Sequence, residues 1–296
     1  MHRKLTGTPC TSATRPSRRL VACAAAFLLL AGCSQEATTS TPAPSKASRT
    51  TQPPASSAAP SGLTLVAIGD SIPFNSPDDC PGCTGFIDRY AEAATEALGR
   101  PVEVKNMTDH TGLTLPRLLD GLEFQQEAMA AADIVVVGIA HNSAELASDT
   151  PCGAQLTADD MPDWSKIDGK CAVSAAAGYR PQFEELFSRV SALRKGKPTV
   201  LRTINRYSDW IGWSEANLTP AQERKTTLIL DEWNKVLCSA AEANGFTCMD
   251  IYHAFNGPDG SKAAGDLLAE DYTHPSDKGN ELIARLMTAE GFAPLA

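Results

Sequence analysis

Five short strand candidates, alternating along the sequence with stretches of helical spacing, constrain this chain more than anything else in it. They are Leu63-Thr-Leu-Val-Ala-Ile-Gly69, Val102–Met107, Asp133-Ile-Val-Val-Val-Gly-Ile-Ala140, Pro198–Ile204 and Phe246–Ile251. The first and third are apolar almost throughout rather than alternating, which predicts strands buried on both faces. Helices are predicted over 84–98, 115–131, 179–195, 220–243 and 276–290, with stops at Gly99 and at Asn244-Gly245. Residues 148–177, with two cysteines and several aspartates, read as an inserted loop. Strand–helix alternation of this kind builds right-handed βαβ units. The expected fold is therefore α/β: a three-layer α/β/α sandwich of about five mostly parallel strands, with residues 63–296 as one domain.

The N-terminus has a different character. Residues 1–32 hold five basic residues (Arg3, Lys4, Arg15, Arg18, Arg19) and no acidic ones, and the basic stretch runs into Leu20–Leu30, an apolar segment too short to span a bilayer. Leu30-Ala31-Gly32-Cys33 follows, and it resembles the lipobox of bacterial lipoproteins. That resemblance implies a signal peptide over 1–32, lipid on Cys33, and a protein exported and anchored to the outer face of the cell membrane. An ordinary cleaved signal peptide is the alternative. Residues 33–62 are rich in Ser, Thr, Ala and Pro, a composition that buries too little apolar surface to fold, and they read as a tether. The chain carries a net charge of −9; without the five basic residues of the leader, 21 basic residues face 35 acidic ones, or −14. A body so acidic is a poor partner for nucleic acid.

Beyond Cys10, Cys23 and Cys33, six cysteines remain: Cys80, Cys83, Cys152, Cys171, Cys238 and Cys248. An even number in an exported domain points to disulfides, and the three local pairs are the simplest of the fifteen arrangements. Cys80-Pro-Gly-Cys83 admits a second reading, a thiol–disulfide redox site. No second Cys-x-x-Cys or nearby His pair completes a zinc site around it.

The first strand stops at Gly69-Asp70-Ser71, which places a serine where open α/β sheets bind ligands. Asp271-Tyr-Thr-His274-Pro275 precedes the last helix, and an aspartate three residues ahead can orient the imidazole and stabilise its protonated form. The second strand leads to Gly112 and the third to His141-Asn142-Ser143, where a backbone N–H and a side-chain amide are available to a developing oxyanion. Taken in order, Gly69-Asp70-Ser71, Gly112, Asn142 and Asp271-x-x-His274 resemble the four blocks of the SGNH hydrolases, the GDSL esterase/lipase superfamily, over about residues 64–288. Two blocks depart from the family pattern: Ile72 replaces a leucine in the first, and the third, usually Gly-x-Asn-Asp, reads Ala140-His141-Asn142-Ser143.

The resemblance implies a flavodoxin-like domain without metal and hydrolysis of a carboxylic ester, whether a small-molecule, lipid or glycan ester such as an O-acetyl sugar. It implies Ser71 as nucleophile, His274 as base, Asp271 as its orienter, and an oxyanion hole from Ser71, Gly112 and Asn142. The aromatic stretch Arg206-Tyr207-Ser-Asp-Trp210-Ile-Gly-Trp213 after the fourth strand is a candidate substrate surface through Tyr207, Trp210 and Trp213, or else edge packing. His110 and His253 match no block and receive no role. A non-catalytic ligand-binding lipoprotein of the same fold is the main rival to an esterase.

Overall fold

The computed structural model describes residues 61–142, 152, 163–212 and 218–296. The leader, Cys33, nearly all of the tether, Ser143, much of the 148–177 segment and Trp213 lie outside the described residues.

Five strands form one parallel sheet in the order β2-β1-β3-β4-β5. They are β1 (Leu63–Gly69), β2 (Val102–Asn106), β3 (Ile134–Gly138), β4 (Val200–Ile204) and β5 (Thr247–Met249). Alternate side chains of the buried strands feed two cores, as the pleat requires. Val66, Ile68, Val135 and Val137 point to one face, which is covered by α3 (Leu115–Gly121), α4 (Gln126–Ala131), α5 (Gly169–Leu193) and α6 (Pro220–Glu242). Leu65, Ala67, Ile134 and Val136 point to the other, covered by α2 (Phe86–Leu98), α7 (Ile251–Asn256) and α8 (Asp277–Ala289). The three-layer α/β/α expectation holds.

Two helices differ from their predicted extents. The stretch 115–131 breaks into α3, a 3-10 turn over Leu122–Gln125 and α4. Gly121 at the break weakens helix continuity by about 1 kcal/mol relative to alanine, and the turn buries Leu122 while leaving Phe124 81% exposed. Conversely, α5 begins ten residues earlier than predicted, so residues 169–177 are helix and not loop. Asp168 caps it, accepting from the Cys171 N–H at 2.8 Å. The helix passes through Pro181 because Phe183, Leu186, Phe187 and Val190 pack it against the sheet.

All three local disulfides are present. Cys238–Cys248 ties α6 to β5, Cys152–Cys171 ties Cys152 to the first turn of α5, and Cys80–Cys83 closes the loop ahead of α2. Cys80 is buried in a turn six residues before α2 begins. A redox pair needs its attacking cysteine at a helix N-terminus or beside a cation to depress the thiol pKa, so the pair's setting is that of a structural bridge.

Candidate active site

The chain passes from β1 to β2 on one side and reaches β3 on the other, so the connection reverses between β1 and β3. That crevice at the carboxyl edge is where doubly wound sheets bind ligands. Gly69 ends β1 there with φ of +143°, and a Cβ on it would lie 1.8 Å from the Gly138 carbonyl oxygen of β3. Only glycine permits the two strands to approach this closely while the chain turns out of the sheet. Asp70 then caps a one-turn helix, α1 (Ser71–Phe74), and places Ser71 at its start.

Asp70 does more than cap. Its Oδ1 accepts from the Ile72 N–H and its Oδ2 from the Ala140 and His141 N–H groups, all at 3.1 Å. One buried carboxylate thus fixes both the serine turn and the loop that carries Asn142. Burial pushes the Asp70 pKa up to about 6, although its backbone donors and Arg206 pull the other way. In the sequence Asp70 stands out only as the middle residue of Gly69-Asp70-Ser71.

Gly112 lies on the loop after β2 with φ of +72°, the left-handed region that glycine enters without penalty. The loop is pinned to β1 by the Asp109 N–H donating to the Gly69 carbonyl at 2.9 Å. Asn142 donates from Nδ2 to the Leu113 carbonyl at 3.2 Å, which joins the second and third loops. That bond uses one of the two N–H donors an amide carries.

His274 arrives from a sequence position 203 residues away. Its Nε2 lies 2.9 Å from Ser71 Oγ, and its Nδ1 lies 2.5 Å from Asp271 Oδ2. Asp271 Oδ1 also accepts from the Thr273 and His274 N–H groups, both at 3.0 Å. Burial opposes ionisation of Asp271, but the bonds from the His274 ring and these two amides outweigh it and hold the carboxyl below its ordinary pKa. With Nδ1–H directed at a carboxylate, the Nε2 lone pair faces the serine hydroxyl.

Asn280, fully buried in α8, sets the distance between the two segments. It accepts from the Phe86 N–H at 3.0 Å and donates to Asn75 Oδ1 at 3.2 Å and to the Pro275 carbonyl at 3.1 Å. It therefore binds the end of the serine helix to the residue after His274.

Of the two readings of the aromatic stretch, Tyr207 and Trp210 follow packing and not a substrate surface. Tyr207 is fully buried, stacks on Phe255 at 4.5 Å and donates its hydroxyl to the Thr273 carbonyl at 2.6 Å. It props the histidine loop from behind and offers no surface to a substrate. Trp210 is half-buried with the Arg206 guanidinium over its ring at 4.5 Å, so it too is used in packing. The cause is Arg206 itself, which turns inward to pair with Asp209 at 3.2 Å and draws the segment into the body. His141 is walled in beside Tyr207, at 4.3 Å between rings, and burial with Arg206 nearby holds its imidazole well below the ordinary pKa.

Two residues without a sequence-level role stand at the mouth. Asp79, on the loop closed by Cys80–Cys83, lies 2.8 Å from His110 Nε2 and 3.5 Å from His274 Nε2. Nothing in their spacing announces this, since three separate segments meet. Next to them a groove of about 540 Å³ runs along the loop after β2 and α3, with Phe74, Met107, Leu113, Leu118 and Phe124 among its lining.

Comparison with known proteins agrees with this geometry. The GDSL-like lipase/acylhydrolase family matches residues 67–282. No match is found among curated proteins. Among solved structures, the lipase Lip_vut3 from a goat rumen metagenome is similar at 19% identity and a TM-score of 0.59, over 79% of this chain and 100% of that one. Phospholipase A1 from Streptomyces albidoflavus NA297 is similar at 19% identity and 0.52, over 78% and 100%. The extracellular lipase from Streptomyces rimosus is similar at 18% and 0.51, over 77% and 99%. At these identities the structural likeness speaks for the fold, while the family match covers most of the chain. The chain belongs to the GDSL-like lipase/acylhydrolase family and is a carboxylic ester hydrolase.

Proposed function

We propose that the chain hydrolyses esters through an acyl-enzyme on Ser71. The observation that carries this reading is the unbroken line from Ser71 Oγ through His274 to Asp271 at the sheet's switch point. His274 Nε2 takes the hydroxyl proton as Oγ attacks the ester carbonyl carbon. The tetrahedral oxyanion is met by the Ser71 and Gly112 N–H groups and the Asn142 amide. Collapse expels the alcohol, which leaves with the proton from His274. Water, deprotonated by the same nitrogen, then attacks the acyl-enzyme and releases the acid.

The groove beside Gly112 suits the acyl chain of the substrate. Its rim carries Phe74 and Phe124, 40% and 81% exposed, and apolar side chains left in water gain by covering a hydrocarbon tail. The reading favours acyl esters with a chain over acetylated sugars. Lipid attachment at Cys33 would hold this groove at a membrane surface on the tether of residues 33–62; incorporation of a clickable palmitate that disappears in Cys33→Ala tests that part.

Ser71→Ala should abolish p-nitrophenyl ester turnover and labelling by a fluorophosphonate probe while leaving circular dichroism unchanged. Undiminished turnover in that variant would overturn the assignment.

A further inference from the structure

We propose that Asp79, His110 and His274 form a binding site for a divalent transition-metal ion of the zinc class, placed over the mouth of the active site so that the metal and the serine compete for one nitrogen. Each residue offers one ligand atom, and the three atoms all lie within 4.8 Å of one another. Tetrahedral zinc with bonds of about 2.1 Å holds its ligand atoms about 3.4 Å apart. Asp79 Oδ2 stands 2.8 Å from His110 Nε2 and 3.5 Å from His274 Nε2, which brackets that spacing. Two imidazoles and one carboxylate, with a fourth position open to water, make a donor set that zinc, nickel and copper prefer over magnesium or calcium.

The surroundings favour ligation. A metal-bound histidine ordinarily directs its other ring nitrogen at a carboxylate, which fixes the tautomer and raises ligand basicity. Asp271 already does this at 2.5 Å from His274 Nδ1. The tautomer that serves a general base is thus the one that serves a metal. Asp79 is held by its own loop: its N–H donates to the Ser76 carbonyl at 3.1 Å, and the next residue is bridged to Cys83. His110 packs its ring 5.3 Å from Phe74. Closing the site needs movement chiefly from His110, the most exposed of the three at 37% for its side chain. The family resemblance implies a domain without metal, and no local spacing in the sequence announces these ligands, which come from three segments.

A bound ion would occupy the Nε2 lone pair and leave Ser71 without a base. That consequence rests on the serine-esterase reading; the metal site does not. The test titrates zinc into the full chain by calorimetry, alongside His110→Gln and Asp79→Asn, with His253→Gln as a surface-histidine control. Fluorophosphonate labelling is followed at each zinc concentration and normalised to the same protein without zinc. The expected result is one zinc fewer per chain, or affinity weaker by at least about tenfold, in His110→Gln and in Asp79→Asn but not in His253→Gln. Labelling of the unsubstituted chain should slow in step with occupancy and recover on adding EDTA. Isotherms that are the same for the unsubstituted chain and both site variants would overturn the site. Zinc binding lost in those variants but without effect on labelling would overturn the competition. Absence of labelling even without zinc bears on the serine reading alone, and the isotherms still decide the site.

Discussion

Asp70 should leave a clear mark on the pH dependence of stability. It is 1% exposed, and burial lifts its pKa from the ordinary 3.8 to about 6. Between those values the native protein keeps a proton that the unfolded chain has released. Stability rises with pH only where the unfolded state binds more protons, so this group makes stability fall as pH rises through that window. At about 1.4 kcal/mol for each pH unit between the two values, ionised Asp70 costs the native state ~3 kcal/mol. Asp70→Asn removes the titration but turns an NH₂ group towards the N–H of Ile72 or towards those of Ala140 and His141, so at acidic pH the variant should be the weaker protein by about 1–3 kcal/mol. The stability of the unsubstituted chain minus that of the variant should then fall by about 2 kcal/mol between about pH 4 and pH 7. Urea unfolding followed by far-ultraviolet circular dichroism, on both proteins across that range, reads the difference directly and cancels other titrating groups. A difference that stays flat, or widens with rising pH, would refute the reasoning, because the three N–H donors would then outweigh the cost of burying the charge.

Asp271→Ala should lower kcat by about a thousandfold or more with little change in KM, measured on p-nitrophenyl esters, because the imidazole loses both its orientation and its counter-charge. Tyr207→Phe should cost about 1 kcal/mol in urea unfolding and reduce kcat less than tenfold, since the bond to the Thr273 carbonyl steadies the histidine loop from outside the reaction. Gly69→Ala should fail to give soluble folded protein, whereas Gly112→Ala, whose Cβ would meet nothing within 4 Å, should fold at a cost of about 1–2 kcal/mol for its backbone conformation and lose activity through a displaced N–H. His253→Ala should leave turnover unchanged in the same ester assay.

The strands and layers were legible because a buried parallel strand needs an unbroken apolar run, and the runs at 63–69 and 133–140 admit little else. Loop chemistry was legible only where one segment contains the whole device, as in Asp271-x-x-His274. It was illegible where segments cooperate: Asp70 reaches across to Ala140 and His141, Asn280 reaches back to Asn75 and Phe86, and Asp79 meets His110 and His274. The two readings of Tyr207, substrate surface or edge packing, were inseparable in the sequence for a related cause. Aromatic residues after a strand end look like a platform until a buried neighbour is known, and the inward turn of Arg206 towards Asp209 depends on the fold around it.

The two Asp-x-x-His stretches in the chain show where motif ends and fold begins. At Asp250 and at Asp271 the local device is the same. Oδ1 accepts the histidine N–H, at 3.2 and 3.0 Å, and Oδ2 meets the ring Nδ1, at 2.7 and 2.5 Å. Either stretch could orient an imidazole. Asp250 follows β5 at the edge of the sheet and caps α7, which leaves His253 on the surface far from the β1–β3 crevice. Asp271 stands on a loop whose course is set by the Leu268–Pro275 bridge, the Tyr207 bond to Thr273 and the Asn280 clamp on Asn75. Those three contacts, none of them part of the motif, deliver His274 Nε2 to Ser71 Oγ. The motif supplies an oriented base, and the hydrogen bond from Asn280 of α8 to Asn75 at the end of the serine turn helps determine which of the two oriented bases has a hydroxyl to act on.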